Sequence, residues 1–210
     1  MLIKKYHLDL LWLDEKRILN PERQQGQDQP FDVRNYWKEQ LRKIVHAKEE
    51  QTWINLMKLR PKLRTYRIIK DKLELEKYLL SPTNKTGRSL LIGLRTGTNR
   101  LRIETGRHKK EDKKDRLCMV CMSGEIEDEK HFVLGCTAYN TYRTSMFDHI
   151  ATDTNEKMVL NRQPIDVQWV NLFKGPNLTN REKNVVSEHL KIFLVLANKR
   201  RKINLEPPKI

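Results

Sequence analysis

The chain has 210 residues, 38% of them hydrophobic and 33% charged, so it can build one modest core and little more. Three cysteines, odd in number and confined to residues 118–136, argue against a secreted disulfide framework and for a reducing compartment. The net charge of +15 is concentrated: from Arg34 to Arg116 there are 24 Lys and Arg against 10 Asp and Glu, so this segment alone carries +14. Charge of that kind favours a polyanionic partner, because each neutralised phosphate releases condensed counterions. A basic surface also serves solubility or an acidic protein partner.

Residues 1–31 read as an N-terminal extension ending in a Pro-, Gly- and Gln-containing linker, "NPERQQGQDQPF". The apolar run Leu10–Leu13 lies between Asp9 and Asp14 and is too short for a signal-peptide core or a membrane span. No secretion and no membrane partner are therefore expected. Residues 32–107 form a basic helical region. Asp32 suits an N-cap, and Trp37, Leu41, Ile44 and Val45 recur at helical spacing. Trp53, Ile54, Leu56 and Met57 continue on a shifted face, and Pro61 ends the helix. Trp37 and Trp53 read as core. A second helical pattern after "KLRTYR" places Ile69, Leu73, Leu79 and Leu80 together, and "SPTNKTG" at 81–87 reads as a turn. Leu90, Leu91 and Leu94 mark a short helix closed by Gly97. Gly106 is expected at a bend, and residues 109–116, with no apolar side chain, as a solvated loop.

Residues 108–147 hold the cysteines, and the segment after them, with Tyr139, Tyr142, Met146 and Phe147, reads as a helix. Residues 148–204 form a C-terminal helical region that includes a Pro- and Gly-punctuated apolar cluster at 161–177. Its main helix starts at Thr179 or Asn180, with Val185, Val186, His189, Leu190, Ile192, Phe193 and Leu196 as its apolar stripe. "NKRRK" at 198–202 suits a helix C-terminus, a nuclear localisation patch or a phosphate contact. Residues 205–210 are a tail. No strand signal stands out, so the fold class is mostly α.

The cysteines run Cys118-x2-Cys121-x9-His131-x4-Cys136. The two-residue gap aims two thiolates at one point, and the nine-residue return brings back a third and fourth donor, the pattern of a tetrahedral zinc knuckle. Three thiolates and one imidazole leave no open position, so the zinc would be structural. His131 and Cys136, five apart, sit about 140° from one another on a regular helix. A left-handed Gly135 would swing Cys136 back toward the metal. The alternative is three free cysteines and an unrelated histidine; a redox Cys-x-x-Cys lacks the surrounding βαβ pattern. Glu125, Glu127, Asp128 and Glu129 suit a helix start just before His131 and, like Asp112 and Asp115, read as solvated charges. His108 reads as a loop histidine and His189 as one at the core edge. No phosphate-binding Gly-rich loop, no Ser/His/Asp order and no adjacent Asp-Asp pair occurs, so no enzyme activity is expected.

Four segments, "KLRTYRIIKDKLELEKYL", "LIGLRTGTNRLRIETGR", "RLCMVCMSGEIEDEKHFVLGCTAY" and "FLVLANKRRK", together resemble the region downstream of the polymerase domain in non-LTR (LINE-type) retrotransposon reverse transcriptases. They also resemble host proteins derived from such elements. The resemblance covers residues 55–202. It implies an RNA- and DNA-handling role, with Cys118, Cys121, His131 and Cys136 as zinc ligands. It also implies Arg100, Arg102 and Arg107 as phosphate contacts, with Arg95 beside them. The residues themselves add Arg64, Tyr66, Arg67, Lys109 and Lys110 to the nucleic-acid candidates, Tyr66 as a stacking platform among cations. The expected protein is a nuclear, or else cytoplasmic, non-catalytic nucleic-acid binder. The alternative is a protein-interaction subunit of a larger ribonucleoprotein or DNA-processing complex.

Overall fold

The computed structural model describes residues 33–79, 83–155, 159–176 and 178–205. The extension at 1–31, the Asp32 cap, Leu80 and the tail beyond Leu205 lie outside the described residues. The chain divides into two compact units, Met1–Met57 and Lys58–Ile210. The described elements are helical, and the only pairing of strand type among them is one antiparallel bridge, Leu117 with Ile126.

The first unit's described residues, 33–57, all belong to one long helix, α1, which spans Val33–Leu59. No Gly or Pro interrupts it, and Pro61 begins the following turn. Trp37 and Trp53 are half-buried rather than core, and Leu41, Val45 and Leu56 are exposed.

The second unit holds the core. Its helices are α2 (Arg64–Ile69), α3 (Lys85–Thr96), α4 (Arg102–His108), α5 (Asn140–Asp153), α6 (Ile165–Phe173) and α7 (Asn180–Leu205). The expected helical continuation after "KLRTYR" is not formed: α2 stops at Ile69 and residues 72–74 bend. Lys70 explains this, because its ammonium reaches the Glu74 carbonyl at 2.7 Å and the Glu76 carboxylate at 3.1 Å, folding the segment back on itself. The expected turn at 81–87 is helical from Lys85 on, and Ser81 and Pro82 lie outside the described residues. Asn84 accepts from the N–H of Gly87 at 2.8 Å and starts α3 at Lys85. Gly97 closes α3 at φ 65°, and a Cβ there would lie 2.2 Å from the Lys62 carbonyl oxygen, so only glycine fits. Gly106 does not mark a bend; it is buried inside α4. The cluster around Trp169 forms a helix, α6, with Trp169 and Phe173 rings 4.4 Å apart.

The long helix α7 is the axis of the core and packs between α5 and α3. Thr179 and Glu182 form its capping box: Thr179 N–H donates to Glu182 Oε2 at 2.8 Å, and Glu182 N–H returns to Thr179 Oγ1 at 3.3 Å. Val186, Leu190, Phe193, Leu194 and Ala197 are its buried face. The face is rotated from the expected stripe: Ile192 and Leu196 are exposed, and Lys191 is fully buried with its ammonium on Glu188 at 2.6 Å. Phe132 enters this core between Tyr139 and Phe193, at centroid distances of 5.1 and 6.3 Å. Burying such a ring stabilises by about 2–3 kcal/mol. That anchors the cysteine window to the helices.

Candidate metal centre

Residues 116–127 form a small hairpin. Cys118 N–H donates to the Glu125 carbonyl at 2.8 Å, and Glu127 N–H donates to the Arg116 carbonyl at 3.0 Å. Met122 at φ 54° and Gly124 at φ 78° turn the chain between them. The tight turn aims the N–H groups of Val120 and Cys121 at the Cys118 sulfur. Asp128 begins the return: its Oδ1 accepts from His131 N–H at 2.8 Å. A single π-helical turn, His131–Gly135, follows.

That turn replaces the expected left-handed glycine. Gly135 has no positive φ; instead the Cys136 N–H donates to the His131 carbonyl at 2.7 Å, a bond five residues long. The wider loop carries residue 136 round until it lies over residue 131, and both side chains point the same way. Gly135 leaves room for the imidazole: a Cβ there would crowd His131 Nδ1 at 3.2 Å.

The four expected residues come together. One donor atom from each of Cys118, Cys121, His131 and Cys136 lies within 4.8 Å of all the others. Cys118 and Cys136 sulfurs are 3.9 Å apart, too far for a disulfide, and Cys121 Sγ is 3.4 Å from His131 Nε2. Cys118 and Cys136 are buried, and Cys121 half-buried. The group could hold a metal ion. Without one, the two buried thiols share a single ionisation. Hydrogen bonding from Cys136 pulls Cys118 below the ordinary thiol range, and the same bond, with burial, pushes Cys136 up. Burial pulls His131 down, but bonding to Cys118, Cys121 and Glu125 outweighs it and raises the imidazole to about 9.

The carboxylates around the centre were misread by composition. Glu125 is the exposed one, and its Oε2 lies 2.7 Å from His131 Nδ1, which leaves Nε2 toward the thiols. Glu127 and Glu129 are 1% and 2% exposed and so are not solvated charges. Glu127 accepts from Arg201 Nε at 2.8 Å, Arg201 Nη2 at 2.9 Å and the Arg102 N–H at 2.8 Å. Glu129 accepts from Arg64 Nε at 2.9 Å and Asn99 at 2.9 Å, with a further contact to Arg64 Nη2. The third buried carboxylate, Glu104, takes Arg64 Nη1 at 2.6 Å and Arg107 Nη2 at 2.8 Å. Burial raises the Glu129 carboxyl above its ordinary range, against the pull of Arg64. Burial would lower Arg64 and Arg201, but their glutamates outweigh it and hold both guanidiniums charged. Sequence reasoning also missed Arg143, which is buried on α5. It donates to the carbonyls of Val133 at 2.8 Å and Cys136 at 2.6 Å, holding the far end of the π turn. The one readable signal among these was Asp128 three residues before His131.

The basic candidates divide into three groups. Arg95 is interior, 3% exposed, bonded to the Phe173 carbonyl at 3.2 Å and Glu76 at 2.8 Å, with its guanidinium over the Tyr78 ring. It does not reach a surface ligand. Arg64, Arg102 and Arg107 keep partial exposure but are ion-paired, Arg102 with Glu111 at 2.8 Å. Arg67, Arg100, Lys109 and Lys110 are exposed, and Tyr66 is half-buried on α2. Within "NKRRK", Arg201 belongs to the Glu127 pair rather than to the surface.

No family model, curated protein or solved structure matches this chain. No helix among the described residues is long and apolar enough to cross a membrane.

Proposed function

We propose that the chain is a non-catalytic nucleic-acid-binding protein braced by a structural zinc, of the kind found downstream of the polymerase domain in LINE-type retrotransposon reverse transcriptases. A tetrahedral zinc with Zn–S near 2.3 Å and Zn–N near 2.0–2.1 Å has S···S edges of about 3.8 Å and S···N edges of about 3.6 Å. The sulfur pair at 3.9 Å and the sulfur–imidazole pair at 3.4 Å fit those edges. Zinc bound by three thiolates and an imidazole supplies folding free energy and no open coordination site.

One observation carries the nucleic-acid reading. The carboxylates beside the centre take up Arg64, Arg107 and Arg201, while Arg67, Arg100, Lys109 and Lys110 face solvent. The fold thus consumes one set of cations and presents another, on a frame joined to the cysteine hairpin. Binding of labelled RNA and DNA across a salt series tests it: log affinity falls steeply with log salt. A flat response overturns it. The role suits the nucleus, or else the cytoplasm.

A second reading, a protein-interaction subunit of a larger complex, is favoured by α7. Ile192, Leu196 and Ile203 are 49%, 42% and 57% exposed along one helical face. Purified chain that carries no nucleic acid and self-associates in low salt would favour this reading over the first.

A further inference from the structure

A cleft of about 290 Å³ opens between the second half of α3, the turn at 98–101 and the C-terminal half of α7. Leu90, half-buried, is the apolar side chain its floor presents, with the buried Leu94, Phe132 and Leu194 beneath it. Arg100 and Lys202 stand exposed on its rim, and neither has an ion pair among the described residues. The half-buried Asn198 amide lines it with no hydrogen-bond partner among the described residues. No acidic side chain lines this cleft.

A larger cleft, of about 590 Å³ beside α2 and α6, is mixed in charge: Lys72, Lys174 and Lys183 also line it, and Lys174 is paired with Asp71 at 2.7 Å. Asp71, Glu74 and Glu76 line it, and its buried cations Lys70 and Arg95 both spend their charge on Glu76. A phosphate meets acids among the cations there, and meets none in the lining of the first cleft. The small cleft also sits on the metal-braced frame. Phe132 of its floor follows the ligand residue His131, and Arg201 on its wall is bolted to Glu127 of the hairpin.

We propose that this small cleft receives one nucleotide of a single strand, with the base on the apolar floor beside Asn198 and the flanking phosphates on Arg100 and Lys202. This rests on the nucleic-acid reading above and names the ligand of that interface. The strand must be single, because a base paired and stacked in a duplex cannot turn its face to such a floor. The larger exposed population of lysines then adds sequence-blind affinity, while the cleft reads the presence of a base.

The test uses the zinc-loaded full chain and labelled oligonucleotides of equal length, one with bases and one abasic throughout. The base-bearing strand should bind about tenfold more tightly than the abasic strand. Ser89→Trp, at an exposed position on the cleft wall, should abolish that ratio and leave the salt slope unchanged. Arg100→Ala with Lys202→Ala should lower the slope of log affinity against log salt by about 1.4, the loss of two single-strand phosphate contacts. Thermal melts of each variant matching the parent exclude misfolding as the cause. If the parent binds with a steep slope but shows a base-to-abasic ratio near one, or if the double variant keeps the full slope, the cleft assignment falls and the nucleic-acid reading stands. If the parent binds neither strand at any salt, both fall.

Discussion

The Cys136 amide donates to the carbonyl of His131, five residues back, at 2.7 Å. This one wide turn makes a four-residue donor set out of a spacing that an α-helix would splay apart. The imidazole at its start is then aimed by Glu125, whose carboxylate sits 2.7 Å from Nδ1. Glu125 is largely exposed, so Glu125→Ala removes the aim without opening the core. Metal affinity should fall about tenfold or somewhat more, the usual cost of losing a carboxylate behind a metal-bound histidine. Competition with a chromophoric chelator measures it; unchanged affinity would mean that the π turn alone orients the ring. Gly135→Ala, which crowds Nδ1, should act in the same direction.

Removing the metal should unfold more than the hairpin. With zinc bound, as proposed, the centre would contribute on the order of 10 kcal/mol of binding free energy, a large share for a chain with a modest core. Cys118→Ser and Cys136→Ser should each reduce bound zinc from one per chain to near none. Hydrogen exchange should then accelerate through residues 116–136 and in the C-terminal turns of α7, because Arg201 loses its partner. Exchange confined to the hairpin would show that the two are not coupled.

Glu127 and Arg201 are 74 residues apart and share two hydrogen bonds of 2.8 and 2.9 Å in the interior. Breaking such a pair by removing one partner costs about 3–5 kcal/mol, because the other is left charged and buried. Glu127→Ala should be the worse of the two single changes, since it also strands the Arg102 N–H. Arg201→Met should destabilise less, and the double variant should fall well short of the sum. Denaturant unfolding of the four proteins gives the coupling directly. Additive losses would show the pair to be incidental.

Much of this was readable from the residues. The cysteine and histidine spacing specified the donor set, Gly97 and Pro61 marked true helix ends, and the Thr179 cap opened α7 where expected. What failed failed for tertiary reasons. Burial of Glu104, Glu127 and Glu129 depends on arginines 40 to 74 residues distant, and no local pattern distinguishes such glutamates from solvated ones. The break after Ile69 came from Lys70 folding back to Glu74 and Glu76, against a sequence that keeps helical periodicity. The stripe of α7 was rotated by Lys191, a charged residue that periodicity assigns to solvent and packing assigns to the core. The π turn has no sequence signature beyond a glycine, which local rules assign to a cap.

Tyr78 carries a pH signature. Burial pushes its phenol up to about 12, with Arg95 pulling the other way and Glu76 and Tyr66 adding to the rise. A raised folded-state value means that the fold keeps a proton the unfolded chain loses from its ordinary value near 10. The contribution to stability is therefore whole below pH 10 and is lost as pH climbs toward 12. Ultraviolet titration of phenolate should show a late step, and Tyr78→Phe should remove it and flatten the fall of stability in that window. Burial also pushes Tyr139 up, so a second late ionisation should survive in the variant.

Arg95 and Arg100 lie five residues apart and should answer opposite experiments. Arg95 is buried on Glu76 and the Phe173 carbonyl, so Arg95→Ala leaves both acceptors short of a donor and should cost about 3 kcal/mol of stability. Glu76 keeps Lys70, which limits the loss. Bound to no phosphate, Arg95 should leave the salt slope of nucleic-acid binding untouched in whatever protein remains folded. Arg100 is exposed and supports no buried group, so Arg100→Ala should leave the melt in place and lower that slope by about 0.7. The two variants, melted and titrated side by side, separate the cations that hold this fold from those it offers to a ligand. A slope lowered equally by both would show that burial does not sort them.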